Sequence, residues 1–371
     1  MRRGKRVIGL KRVIGTALLT ALVLLPATLF GQKQEDMRFV SIDSLMIIGQ
    51  GFAQSHVKYG RVPELLVPEL RKELLSLGAN SAGLAVRFNS NSPVISVKWT
   101  VRENVSMNHM PATGIKGLDI YIYEGGKWSY AGTARPTGKQ NYAVFVKNMT
   151  KQNREFVAYL PLYDGVESVE IGVDKESQIR MPQNGRLVKS PEKKPILFYG
   201  RSITQGGCSS RPGMAYPSIL ARMLDRETIN LGFSGNGKMD FSMAKAINMV
   251  DVHSIVLDCL PNTTAQSVRE SAYRFITHIA QAKPNVKIYM VENANFPYLL
   301  FDSVTKAELD EENNVWRELF ARLLTEGYKN IEYIRGDNLL GEDGETTVDG
   351  VHFTDLGFLR YAQALVEYLQ E

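Results

Sequence analysis

Between residues 36 and 179 the apolar side chains recur at every second position, and beyond residue 195 they fall into short runs separated by helically spaced segments. This change of period is the strongest constraint on the fold, because a strand sends alternate side chains to opposite faces while a helix repeats about every 3.6 residues. Ile95, Val97, Trp99 and Val101 alternate with Ser96, Lys98 and Thr100, which predicts a strand with one buried face. The run Leu118-Asp119-Ile120-Tyr121-Ile122-Tyr123 alternates likewise. Gly125 and Gly126 then supply the permissive residues of a tight hairpin before Trp128-Ser129-Tyr130 returns. Val169, Ile171 and Val173 form a further strand after the Asp164-Gly165 turn signal. A single helix is expected over residues 67–77, where Leu70, Leu74 and Leu75 share a face. The first half therefore reads as an all-β sandwich, jelly-roll-like.

Residues 182–195 are polar and rich in Pro and Gly, and mark a boundary. Beyond them, apolar runs at residues 196–199, 228–231, 254–259, 286–292 and 331–334 alternate with amphipathic segments at 216–224, 242–250, 266–281, 306–327 and 355–369. Short apolar strands interleaved with helices predict a parallel sheet covered on both faces, a three-layer, doubly wound α/β domain of flavodoxin-like order. The expected organisation is an N-terminal segment at 1–32, a sandwich at 33–185 and an α/β domain at 186–371.

The formal charge of +5 suggests a polyanionic partner until its source is located. Arg2, Arg3, Lys5, Arg6, Lys11 and Arg12 all precede residue 33, where there is no acid, so the remainder holds 38 cations against 39 acids. The body of the protein is near neutral, with no basic and aromatic cluster for nucleic acid. The first 32 residues have a basic start, an apolar run from Val13 to Phe30 and a small residue at Gly31, the pattern of an export signal. An uncleaved anchor is the alternative, since 18 apolar residues can just span a bilayer. After removal of the signal no integral membrane domain is expected, and the location is periplasmic, extracellular or at the cell surface.

Ligands of open α/β sheets collect at the carboxyl ends of the strands, so the residues following each strand carry most weight. Gly200-Arg201-Ser202 follows the first strand, Gly232-Phe233-Ser234-Gly235 the second and Pro261-Asn262-Thr263 the third, while Asp349-Gly350-Val351-His352 precedes the last helix. A serine hydroxyl needs a base, and the base needs an orienting group. His352 suits the first role and Asp349 the second, with Glu292 and Asp258 as alternatives for orientation. Ser202 N–H, Gly235 N–H and the Asn262 amide are candidate oxyanion donors. Read singly, each of these is more often a turn or a helix cap.

Their order is informative. Ser202, Gly235, Asn262 and the Asp349/His352 pair resemble the four blocks of the SGNH hydrolase superfamily, the GDSL-like esterases, and Gly117-Leu118-Asp119-Ile120-Tyr121 resembles the Gly-x-Asp-Leu-Tyr signature of the β-domain that precedes some bacterial members. The resemblance implies a serine esterase with no metal and no cofactor, acting on an acylated carbohydrate, with acetyl as the leading acyl group. Two departures stand out: Arg201 replaces the Asp before the nucleophile, and the third block reads Leu260-Pro261-Asn262-Thr263. A lysophospholipase or thioesterase on the same machinery, and a non-catalytic glycan-binding protein, are the rival readings.

Four further expectations concern individual residues. Arg201 is a candidate for binding a substrate carboxylate, since a guanidinium fork suits that geometry. His109, in a loop before the Gly117 motif, is a candidate substrate contact reaching over the site. Cys208 and Cys259, the only cysteines, lie near the ends of neighbouring strands and could form a disulfide or remain buried thiols. Tyr121, Tyr123, Trp128 and Tyr130 form either a sugar-stacking platform or core packing. The histidine spacing contains no metal-binding pattern.

Overall fold

The computed structural model describes residues 36–370; the export signal expected at residues 1–32 lies outside them. Ten strands build the first half. β1 (Met37–Ser41), β4 (Ile95–Val101), β7 (Gln140–Val146) and β9 (Val166–Asp174) form one antiparallel sheet in the order β1-β9-β4-β7. The second sheet runs β10-β3-β8-β5-β6, from β3 (Ala85–Ser90), β5 (Leu118–Glu124), β6 (Lys127–Ala134), β8 (Arg154–Tyr159) and β10 (Ile179–Arg180), with β2 (Met46–Ile48) also paired to β3. The alternating residues fill the space between the sheets. Ile95, Val97, Trp99 and Val101 meet Val86, Phe88, Phe156 and Leu118, and the Phe88 and Phe156 rings stack at 5.0 Å. The β5–β6 hairpin turns at Gly125 and Gly126, both at positive φ, +60° and +84°.

The expected helix over 67–77 is instead two pieces: a 3-10 helix at Glu64–Glu69 and α1 at Lys72–Gly78. Leu70 and Arg71 between them are extended. Pro68, lacking an N–H, cannot continue an α-helical ladder, and the Arg71 guanidinium is drawn to Asp240, with Nε donating to Oδ1 at 2.6 Å.

The second half holds five parallel strands in the order β12-β11-β13-β14-β15: β11 (Ile196–Gly200), β12 (Thr228–Gly232), β13 (Ser254–Asp258), β14 (Lys287–Val291) and β15 (Ile331–Ile334). Alternation divides each strand between two cores. Leu197, Tyr199, Ile255, Leu257, Ile288 and Met290 face the core built with α5 (Phe241–Asn248), α6 (Ala265–Ala282) and α7 (Ser303–Thr325). Ile196, Phe198, Val256, Tyr289 and Val291 face α4 (Tyr216–Leu224) and α8 (Asp355–Leu369). This is the doubly wound layering expected of the period change. Among the described residues no helix is long and apolar enough to cross a bilayer.

The halves are joined through strand alternation on β5. Leu118 and Ile120 enter the sandwich core, so Asp119 and Tyr121 point the other way, into the α/β half. Asp119 is fully buried; Oδ1 accepts from Gly213 N–H at 2.9 Å and Oδ2 from Arg211 Nη1 at 2.6 Å. A Cβ on Gly213 would lie 2.5 Å from the Tyr121 ring, so only glycine fits beneath it. Arg61, also buried, donates to four backbone carbonyls: Leu77 and Asn80 in the first half, Asn230 and Gly232 in the second. Burial without a carboxylate partner pushes this guanidinium down to about 9.

Candidate active site

At the end of β11, Gly200 lets the chain turn sharply: a Cβ there would sit 2.1 Å from Thr204 Oγ1 and 2.4 Å from the Asp258 carbonyl oxygen. The next residues form a single helical turn, α3 (Ser202–Gln205), closed by Gly206 at φ +119°. Ser202 stands first in that turn, nearly buried, and its carbonyl accepts from the Tyr163 hydroxyl of the sandwich half at 3.2 Å. Its Oγ is 2.9 Å from His352 Nε2. On the other ring edge, His352 Nδ1 is 2.8 Å from Asp349 Oδ2, while Asp349 Oδ1 accepts from the backbone N–H groups of Val351 and His352 at 3.1 and 2.8 Å. The loop is anchored a few residues on. Asp355, in the first turn of α8, accepts from Ser210 N–H at 2.9 Å and from the Ser210 hydroxyl at 2.5 Å.

The electrostatics follow from those contacts. Partial burial raises the Asp349 carboxyl, but donation from the His352 ring and from the two amides outweighs it and holds Asp349 down to about 2. An ionised Asp349 favours the tautomer with the proton on Nδ1, which leaves Nε2 as an acceptor facing the Ser202 hydroxyl.

Gly235 and Asn262 lie on the loops after β12 and β13, the two strands that flank β11. Gly235 has φ +66° and open space around its Cα, a conformation that favours glycine. Asn262 ends the 3-10 helix Leu260–Asn262, and its Oδ1 accepts from Gly237 N–H at 3.4 Å. That contact ties the two loops together and leaves the Nδ2 group as a donor.

Some expectations are corrected, and others that were left between two readings are decided. Arg201 does not offer its fork to a ligand: it is 1% exposed, and Nε donates to Asp258 Oδ1 at 3.2 Å. Gly200 pairs in register with Asp258 on β13, which puts the following residue beside that carboxylate at the end of the sheet. Asp258 also accepts from Thr204 and Tyr216, and Glu292 from Arg317, Tyr333 and Gly336, so neither alternative orients His352. Cys208 and Cys259 are both free and buried. They belong to different cores: Cys208 packs with Met110, Leu162 and Tyr163, Cys259 with Tyr199 and Phe275 beneath α6. Burial pushes the Cys208 thiol up to about 12, the opposite of what a cysteine nucleophile requires. Of the hairpin aromatics only Tyr121 is a buried packing residue; Tyr123 and Trp128 are half-buried and Tyr130 is exposed. Tyr121 is buried edge-on against Tyr159 with the Arg222 guanidinium 3.9 Å from its ring, and Arg186 covers Tyr123 at 3.8 Å.

His109 does reach the site. Residues 102–111 leave β4, are turned by the buried Asp164 carboxylate, which accepts from Glu103 and Val105 N–H at 3.0 Å each, and re-enter the core at Met110. The His109 ring then lies 5.3 Å from that of His352. The positioning roles of Asp119, Asp164, Tyr163 and Asp355 had no signal of their own in the sequence, although Asp119 lay within the Gly-x-Asp-x-Tyr motif and Asp164 within a turn signal.

A family model described as GDSL-like lipase/acylhydrolase matches residues 193–370, and one described as the N-terminus of SGNH hydrolase-type esterases matches residues 37–179. The crystal structure of a Bacteroides ovatus protein assigned as a GDSL-like lipase is 34% identical over 90% of this chain and 98% of its own, with a TM-score of 0.84. The chain belongs to the GDSL-like lipase/acylhydrolase family. It is an SGNH-type esterase or acylhydrolase with an N-terminal β-sandwich. Two more distant structures share the fold of this GDSL-like chain. A salicylyl-acyltransferase from a tetracycline biosynthetic pathway is 15% identical, covering 90% of this chain and 96% of its own at a TM-score of 0.71. An acetyl xylan esterase from Butyrivibrio proteoclasticus is 13% identical, covering 90% and 98% at 0.54. No curated protein matches the chain in sequence.

Proposed function

We propose that this acylhydrolase removes acyl groups, acetyl foremost, from a carbohydrate ester by a Ser202 acyl-enzyme route. The observation that carries the reading is the continuous chain from Asp349 through His352 to Ser202, with contacts of 2.8 and 2.9 Å. Ser202 Oγ bonds to the ester carbonyl carbon as its proton moves to His352 Nε2, and Ser202 N–H, Gly235 N–H and Asn262 Nδ2 stabilise the oxyanion. Collapse breaks the bond to the sugar oxygen, which takes the proton from His352. Water then repeats the sequence at the acyl carbon, releases the acid and restores Ser202.

A partly exposed His352 and Asp349 suit a bulky hydrophilic alcohol whose acyl group is small. The shared fold with an acetyl xylan esterase supports a carbohydrate, and the basic then apolar segment before residue 33 supports export to the periplasm or cell surface, where acylated polysaccharides are met. One observation favours a second reading, a longer acyl chain. Leu300, Phe301 and Val304 are strongly exposed just beyond Tyr298, whose ring abuts Gly350 beside Asp349.

The test is hydrolysis of p-nitrophenyl acetate, p-nitrophenyl octanoate and a panel of acetylated polysaccharides by residues 33–371. Acetate release by wild type and its loss in Ser202→Ala are expected. Preference for the octanoate would move the assignment to the long-chain reading, and inertness toward every ester to glycan binding without catalysis.

A further inference from the structure

The meeting of the two halves gathers three metal-binding side chains that the sequence holds far apart. One donor atom from each of His109, Cys208 and His352 lies within 4.8 Å of the other two. His352 is already arranged as zinc-ligating histidines are: Nδ1 is held by the Asp349 carboxylate, so the edge left to take a metal is Nε2, which here faces Ser202 Oγ. His109 Nδ1 has a similar outer contact, 3.1 Å from Asn108 Oδ1. Cys208 lies buried between the sandwich loop and the nucleophile turn, with Met110, Leu162 and Ala215 around it. Two imidazoles and a thiolate are a borderline-soft donor set, suited to zinc and unsuited to magnesium or calcium. Three protein donors leave a fourth position open, and Ser202 Oγ, 2.9 Å from His352 Nε2, stands beside it. Zinc–nitrogen and zinc–sulfur bonds of about 2.0–2.3 Å require the donors to close by roughly 1 Å. The partly exposed His109 is the residue free to make that movement.

We propose that His109, Cys208 and His352 form a zinc site that switches the enzyme off by occupying the nitrogen Ser202 needs. Three metal–donor bonds form, the Cys208 S–H proton leaves to solvent, and His352 Nε2 can no longer accept from Ser202. The inhibitory half rests on His352 acting as the base; the binding half does not.

Zinc chloride is titrated into the full chain carrying Ser202→Ala against a chromophoric chelator, and again after adding His109→Ala or Cys208→Ala. In parallel, zinc is titrated into wild type during hydrolysis of p-nitrophenyl acetate, with magnesium and calcium chloride as controls. The expected result is one zinc per chain, bound at least about 100-fold more weakly once either ligand is removed, a loss as large as that seen on deleting an outer-shell partner. Wild-type hydrolysis falls with zinc, recovers with chelator and is indifferent to magnesium and calcium. Zinc affinity unchanged in the His109→Ala protein, no binding at all, or binding that leaves hydrolysis untouched would overturn the proposal. If no ester is cleaved yet zinc binding depends on both ligands, the metal site stands and the esterase reading fails on its own.

Discussion

Asn262 and Asp349 occupy loop positions that a bystander residue could fill equally well, so the claims made for them rest on what each offers the reacting groups. If Asn262 Nδ2 meets the oxyanion, Asn262→Ala lowers kcat about 100-fold or more while KM changes little, because the donor acts on charge that develops only in the transition state. Steady-state kinetics on any accepted ester checks this; equal losses confined to KM contradict it. Asp349 makes a statement about pH. Its carboxyl drops from 3.8 in the unfolded chain to about 2, so its contribution to stability is complete above about pH 4 and disappears as pH falls through 2. The stability difference between wild type and Asp349→Asn, followed by urea unfolding, is expected to be level above pH 4 and to shrink below it. A difference that grows toward acid pH contradicts the hydrogen-bonded geometry. Arg201 shows where single-residue reading ends. Its position after a strand and beside Ser202 was readable, but not that its side chain turns to Asp258 on the neighbouring strand, a contact 57 residues away.

At the scale of elements, most of the fold was legible because period and burial agree. The five parallel strands and the helices α4 to α8 lie where short apolar runs and amphipathic segments place them, since the strands are covered on both faces and the long helices α6, α7 and α8 bury one face. The failure over 67–77 has a local cause, Pro68, and a distant one, the pull of Asp240 on Arg71. Three of the four candidate blocks were legible as strand ends, and the fourth, Asp349 to His352, as the approach to the last helix. The loop carrying His109 was readable only as a candidate, because its course is set by Asp164, more than fifty residues away. The Gly-x-Asp-x-Tyr strand holds the loop after Ser202 through Arg211 and Gly213, and Asp119→Asn tests this clamp. Removing the buried charge leaves Arg211 without its carboxylate and is expected to cost roughly 3 kcal/mol. Denaturant midpoints measure the loss, and a change below about 0.5 kcal/mol, the range of an ordinary surface substitution, would argue against a clamp.

For the molecule as a whole, the sandwich is a structural part of the hydrolase. The described chain from Met37 onward forms one compact unit, and the contacts that close it are polar and buried. Arg61→Met removes the donor from four carbonyls, two in each half, and is expected to destabilise the protein by at least about 3 kcal/mol, through groups left unsatisfied. Circular dichroism melts of the two proteins check it, and identical melting curves contradict it. The same coupling brings His109 and Cys208 to His352, so the proposed catalysis and the proposed zinc site both depend on the joined halves.

The central claim is that the acyl group passes through Ser202. It is tested most directly by quenching the enzyme during turnover of p-nitrophenyl acetate and mapping the acetyl group by peptide mass spectrometry. An acetyl adduct is expected on the Ser202 peptide and none in Ser202→Ala, whose turnover is lost. Undiminished turnover in Ser202→Ala, or an adduct carried by Cys208 instead, would contradict it.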